Sequence, residues 1–196
     1  MSKARLEAFS DGVIAILITL MVLELKIPDG ANLEALRPLL PVFLTYALSF
    51  VMLGIYWTNH HHLFHAVQRV NGAVLWANLH LLFWLSLITP LTGWMGTNGT
   101  AALPTAIYGG VLLCAGTAYY VLVKAILREE GPQSRIAEAI GRDIKGQVSV
   151  WIYLAAIPLA FVSHWIADAL YVAVALMWLV PDRRIESRVV TPSAEA

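Results

Sequence analysis

The stretch from Val70 to Val123 reads VNGAVLWANLHLLFWLSLITPLTGWMGTNGTAALPTAIYGGVLLCAGTAYYVLV and holds no Asp, Glu, Lys or Arg. A helix needs about 20 apolar residues to cross about 30 Å of hydrocarbon. This stretch therefore holds two spans, at about Ala73 to Met95 and Pro104 to Val123. Gly96-Thr97-Asn98-Gly99-Thr100 reads as the turn between them. Upstream, Pro38 to Gln68 is also free of those four residue types and holds a further span, from Pro38 or Leu39 to about Trp57. Another runs from about Ala8 to Leu25 and is closed by Pro28-Asp29-Gly30. Downstream, Gln147 to Val180 is too long for one helix across a normal bilayer. Pro158 and Ser163-His164 mark a tight break that divides it into two short spans. The chain is thus expected to be all-α and polytopic, with six transmembrane helices; five is the alternative count.

Basic residues favour the cytoplasmic side of a membrane. With six spans and the amino terminus inside, Lys3, Arg5, Arg69, Lys124, Arg128, Arg135, Arg142, Lys145, Arg183, Arg184 and Arg188 all fall inside, and only Lys26 and Arg37 fall outside. Five spans would move the last three outside and weaken that bias. Both termini are therefore expected in the cytoplasm. The run after Lys3 and Arg5 continues to Ile27 without a small-residue cleavage site, so it reads as a retained span rather than a signal peptide. Residues 1–196 form one transmembrane domain, with residues 191–196 expected to be a disordered tail. Arg135 to Ile140 reads as a short interfacial helix.

Of the 196 residues, 59% are hydrophobic and 13% charged, and 13 basic residues balance 13 acidic ones. A soluble domain carries about 25% charged residues. Zero net charge gives no reason to expect a nucleic-acid partner. Cys114 is the one cysteine, so neither an intramolecular disulfide nor a Cys-x-x-Cys site is available. There is no nucleophile with a base, no His-Glu-x-x-His and no paired carboxylates on one span, so an enzyme is not expected. No cofactor is implied either.

The first span is the unusual one. Asp11 lies about one turn into the inner leaflet, where a carboxylate costs a few kcal/mol unless it finds a partner. It must face protein or water. Arg5, about 240° away round the same helix, is a poor partner for it. Ser10 and Asp11 read either as polar ties between helices or as an ion or proton site. Ile16, Leu20 and Leu23 form one stripe at i, i+4 and i+7, with Thr19 beside it and Phe9 and Gly12 extending it. An apolar stripe in an apolar helix is most often a packing face.

Arg5, Phe9, Ser10 and Asp11, in the pattern Arg-x-x-x-Phe-Ser-Asp, resemble the signature of the transmembrane protein 175 family, the lysosomal potassium channels and their bacterial relatives. Ala15-Ile16, Thr19-Leu20 and Leu23-Glu24-Leu25 continue the resemblance along that family's first helix. The resemblance implies a potassium-permeable channel, with potassium as the permeant ion. It also implies a homotetramer in which four first helices surround the axis, as in single-repeat bacterial members, and hence a bacterial inner membrane. It places the constriction at Ile16, with Leu20 and Leu23 as the next pore-facing positions. Arg5, Phe9, Ser10 and Asp11 then hold helices together. Four isoleucines at an axis make a narrow dry neck that resists ions by dewetting. The chain has no Thr-Val-Gly-Tyr-Gly filter. A cation- or proton-coupled secondary transporter using Asp11 is the competing reading, although repeated halves and broken helices are not evident.

Other polar residues need an account. His80 and Asn78 lie inside the third span and need partners; His80, ahead of Asn78, is expected to bond the Ser10–Asp11 region. His61 and His65 stand four apart in a cluster with His60 and His62, a spacing open to metal or pH sensing but more simply interfacial. Glu24 either faces the outer mouth or serves an interface. Asp168 reads as a solvated carboxylate near the outer end of the sixth span. Trp84, near mid-membrane, is expected to pack between helices.

Overall fold

The structure is a computed structural model, and it describes residues 2–99, 101–131, 134 and 143–179. Six α-helices account for nearly all of it. They are α1 (Lys3–Leu23), α2 (Leu40–Ala66), α3 (Gly72–Thr97), α4 (Ala102–Glu130), α5 (Ile144–Leu159) and α6 (His164–Leu179), with a 3-10 segment at Leu33–Leu39 before α2. In hydrocarbon every backbone polar group must be satisfied within the chain, which selects helices for such apolar runs. α1, α2, α3 and α4 are long and apolar enough to cross a membrane; α5 and α6 are apolar but have 16 residues each.

Local chemistry sets the ends. Asn32 caps the 3-10 segment through Ala35 N, Asn71 caps α3 through Val74 N, and Asp143 caps α5 through Gly146 N. Pro41 sits in the first turn of α2, where a missing N–H is harmless. α4 stops at Gly131, whose φ of 90° is open to glycine and costly for other residues. The helices overrun the expected spans. α1 begins at Lys3, α2 continues through the histidines to Ala66, and α4 continues to Glu130. A helix has no reason to stop at the hydrocarbon boundary; it stops where capping or a turn residue ends it. The break between α5 and α6 falls at residues 160–163, as the sequence indicates. Arg135 to Ile140 and residues 191–196 lie outside the described residues.

α3 sits at the centre and packs on α1, α2 and α4, while α4 carries α5 and α6. The core contains Leu53, Phe64, Leu81, Leu85, Leu112 and Leu122, all fully buried. Close approach matters at Gly109, where a Cβ would collide with Tyr171 Oη. That contact seats α6 on α4 and lets Tyr171 donate to the carbonyl of Thr105 at 2.9 Å.

Candidate functional site: the two faces of the first helix

α1 is divided lengthwise. Leu6, Ser10, Ile14, Leu17 and Met21 are buried and recur every three or four residues, which makes one continuous face against α2 and α3. A second stripe has no such partner among the described residues. Ile16 is 58% exposed, Leu20 45% and Leu23 73%, and Thr19 is exposed beside them. Phe9 is half exposed, and nothing lies within 4 Å of where a Cβ on Gly12 would be. Thr19 turns its hydroxyl proton back to the carbonyl of Ala15 at 2.8 Å. The expected Ile16–Leu20–Leu23 stripe is therefore contiguous and uncovered within one chain.

The buried face is locked by hydrogen bonds that run in one direction. His60 on α2 donates from Nε2 to Asn78 Oδ1 on α3 at 2.8 Å, Asn78 Nδ2 donates to Ser10 Oγ at 2.9 Å, and Ser10 donates to the carbonyl of Leu6 at 2.9 Å. Ser10, His60 and Asn78 are all buried, so each bond relieves a desolvated polar group. The contact from the third helix to Ser10 comes from Asn78 and not from His80. Two residues round the helix from Asn78 is about 200°, so His80 points the other way. It is exposed and accepts a bond from Trp84 Nε1 at 2.9 Å. Asp11 takes a different partner again: Trp57 Nε1 on α2 donates to its Oδ1 at 3.0 Å. Arg5 and Phe9 are exposed, so the four signature residues divide, with Ser10 and Asp11 engaged within the subunit.

Three other expectations meet definite geometry. His60 turns inward to Asn78, while His61, His62 and His65 are exposed. The His61 and His65 rings are 6.3 Å apart, but no group of three or more metal-binding side chains forms among the described residues. Glu24 lies over α3, with Oε2 3.3 Å from where a Cβ on Gly93 would stand. Asp168 is not the freely solvated carboxylate expected. Its Oδ1 is enclosed, as is His164 Nε2, and neither has a hydrogen-bond partner among the described residues.

A second buried polar path escaped the sequence reading. Thr92 donates to the carbonyl of Ile88 and lies 2.6 Å from Ser49 Oγ on α2; Ser49 in turn is 2.9 Å from Tyr108 Oη on α4. Thr89 reaches the carbonyl of Leu17 on α1 at 3.3 Å. Thr89 and Thr92, three apart on a central helix, were the available signal. At the other end of the bundle, Glu130 accepts the amides of Gln68 and Arg69 at 2.7 and 2.8 Å, and Glu129 accepts from Asn71. Lys3 donates to the carbonyl of His65 at 3.2 Å. α1, α4 and the α2–α3 connection meet there.

These features define a multi-pass helical membrane protein whose first helix is locked to the bundle along one face and left uncovered along another. A family model described as endosomal/lysosomal potassium channel TMEM175 matches residues 5–89, which span α1, α2 and most of α3. A potassium channel of Chryseobacterium sp. (strain P1-3) is 53% identical over 186 residues, 95% of this chain and 97% of that one. The crystal structure of a lysosomal potassium-selective channel TMEM175 homolog from Chamaesiphon minutus matches with a TM-score of 0.79 and 28% identity, over 93% of this chain and 97% of that one. The human endosomal/lysosomal proton channel TMEM175 is 40% identical over 86 residues, 38% of this chain and 17% of that protein. The chain belongs to the TMEM175 family, which is a family of ion channels and not of enzymes.

Proposed function

We propose that this chain is a potassium channel that conducts passively through a central pore formed by four copies of itself. The observation that carries the reading is the uncovered stripe of Ile16, Leu20 and Leu23, on a different side of α1 from the face locked in place by Ser10, Asn78 and His60. In this reading all six helices span a bacterial inner membrane and both termini are cytoplasmic. The four uncovered stripes meet at the axis, Arg5 and Phe9 meet neighbouring subunits, and potassium is the permeant ion.

The mechanism follows from the side chains. Four Ile16 residues at an axis form a neck without hydrogen-bond donors or acceptors. An ion passing it sheds part of its hydration shell, and potassium holds water less tightly than sodium, so the neck favours potassium. Thr19, one turn away, keeps hydroxyl oxygen lone pairs available to an ion because its proton is committed to Ala15. The bond between Trp57 and Asp11 fixes α1 against α2 and so fixes where Ile16 points.

A coupled carrier using Asp11 is the second reading, favoured by the placement of that carboxylate on α1. Planar-bilayer recording of the purified protein under a potassium–sodium gradient separates the two. Unitary currents reversing toward the potassium potential are expected. Slow potassium flux coupled to protons, without unitary events, would instead support the carrier.

A further inference from the structure

One outward side of α4 carries a cation held at the depth of the inner bilayer boundary. Leu103, Ile107, Thr117, Tyr120, Lys124 and Arg128 are exposed and lie along that side at helical spacing. The polar turn at Thr97 and Asn98 precedes α4 and puts Leu103 near the outer boundary. From Leu103 to Lys124 there are 21 residue steps. At 1.5 Å each that is roughly 31 Å, against about 30 Å of hydrocarbon. Lys124 therefore meets the inner boundary, and Arg128, one turn further on, stands among the headgroups.

The lysine does not reach for cytoplasmic water. A snorkelling lysine extends away from the hydrocarbon. Lys124 Nζ instead lies back over the ring of Tyr120, one turn nearer the midplane, at 5.2 Å from its centre. The acidic residues that end α4 are engaged elsewhere: Glu130 accepts the amides of Gln68 and Arg69, and Glu129 accepts from Asn71. Among the described residues neither Lys124 nor Arg128 has a carboxylate partner. Toward the outer side the stripe is apolar at Leu103 and Ile107, and Thr117 gives its hydroxyl proton to the carbonyl of Leu113 at 2.9 Å. The stripe is thus an apolar length with a cationic end. An inner-leaflet lipid with a net negative headgroup is its complement in both shape and charge.

We propose that Lys124, Arg128 and Tyr120 form a site for one anionic phospholipid of the inner leaflet per subunit. The Lys124 ammonium and the Arg128 guanidinium donate to its phosphate oxygens, the Tyr120 ring holds the ammonium at phosphate depth, and the acyl chains run along α4 toward Ile107. A zwitterionic lipid offers the same phosphate but brings its own cation, which this pair repels. The inference rests on the orientation given under the proposed function, with α4 ending at the cytoplasmic side, and not on potassium conduction.

The test is native mass spectrometry of the full chain in detergent, titrated with phosphatidylglycerol or with phosphatidylcholine. We expect phosphatidylglycerol to bind several-fold more tightly. Lys124→Gln should weaken it about fivefold, the contribution of one basic group at an anionic surface. Lys124→Arg should retain it, and Arg69→Gln, an exposed cation on the same side of the membrane, should leave it unchanged. Equal affinity for the two lipids would overturn the site. An equal loss in Arg69→Gln would show diffuse attraction to the whole basic face and overturn it as well. Glycerol 3-phosphate binding as tightly as phosphatidylglycerol would assign the pair to a soluble phosphate ester and overturn the lipid. If Lys124→Gln fails to fold, Arg128→Gln carries the same test. Selective phosphatidylglycerol binding by a protein without currents would keep this site and remove the channel; potassium currents without selective binding would do the reverse.

Discussion

Asn78 joins Ser10 to His60: its amide nitrogen donates to Ser10 Oγ at 2.9 Å and its amide oxygen accepts from His60 Nε2 at 2.8 Å. One buried side chain thus sets the spacing of three helices. Asn78→Leu should leave His60 Nε2 desolvated and unpaired, at a cost of about 1–3 kcal/mol, while Ser10 loses its donor but keeps its bond to the carbonyl of Leu6. Thermal unfolding in detergent should show a clear loss of stability. His80→Ala, two residues away but exposed, should unfold within about 0.5 kcal/mol of the wild type.

Asp11 distinguishes a structural carboxylate from a transporting one. Asp11→Asn keeps a side-chain oxygen to accept from Trp57, while Asp11→Ala removes it. The channel account expects Asp11→Asn to assemble and conduct, and Asp11→Ala to lose the tetramer on gel filtration. A normally assembled Asp11→Asn protein without currents would make the carboxylate part of the ion path.

Glu130 clamps the α2–α3 connection through two backbone amides on one oxygen. Glu130→Ala should release those amides. Hydrogen exchange at Gln68 and Arg69 should rise at least tenfold, with little change at buried amides of α3.

Asp168 and His164 each keep one enclosed polar atom without a partner among the described residues. Replacing such a group by an apolar one of similar shape is commonly neutral or stabilising. Asp168→Leu should therefore unfold at the same temperature as the wild type or a higher one. A loss of more than about 2 kcal/mol would show that Asp168 has a partner outside this chain.

The helices were legible because membrane spans announce themselves by length and by missing charge; Val70 to Val123 could hardly be anything else. The break before His164 was legible from Pro158 and Ser163. The stripe of Ile16, Leu20 and Leu23 was legible as a stripe, but its exposure was not, because an apolar helix face reads the same whether it packs or lines a pore. The partner of Ser10 was narrowed to Asn78 or His80. Choosing between them requires the rotation of α3, which its nearly uniform apolar composition does not encode. The enclosure of Asp168 depends on α6 seating against α4 at Gly109 and Tyr171, a contact between residues 62 positions apart that no local pattern foretells.

The most direct test of the pore is the single-channel conductance of Ile16→Asn beside that of the wild type, in protein shown to be assembled. Ile16 is exposed and meets no core of its own subunit, so the substitution should leave folding intact. Asparagine wets a dry neck, so the account predicts larger unitary currents or a weaker preference for potassium over sodium. Unchanged conductance and unchanged selectivity would place the constriction elsewhere and contradict the assignment of this face of α1 to the pore.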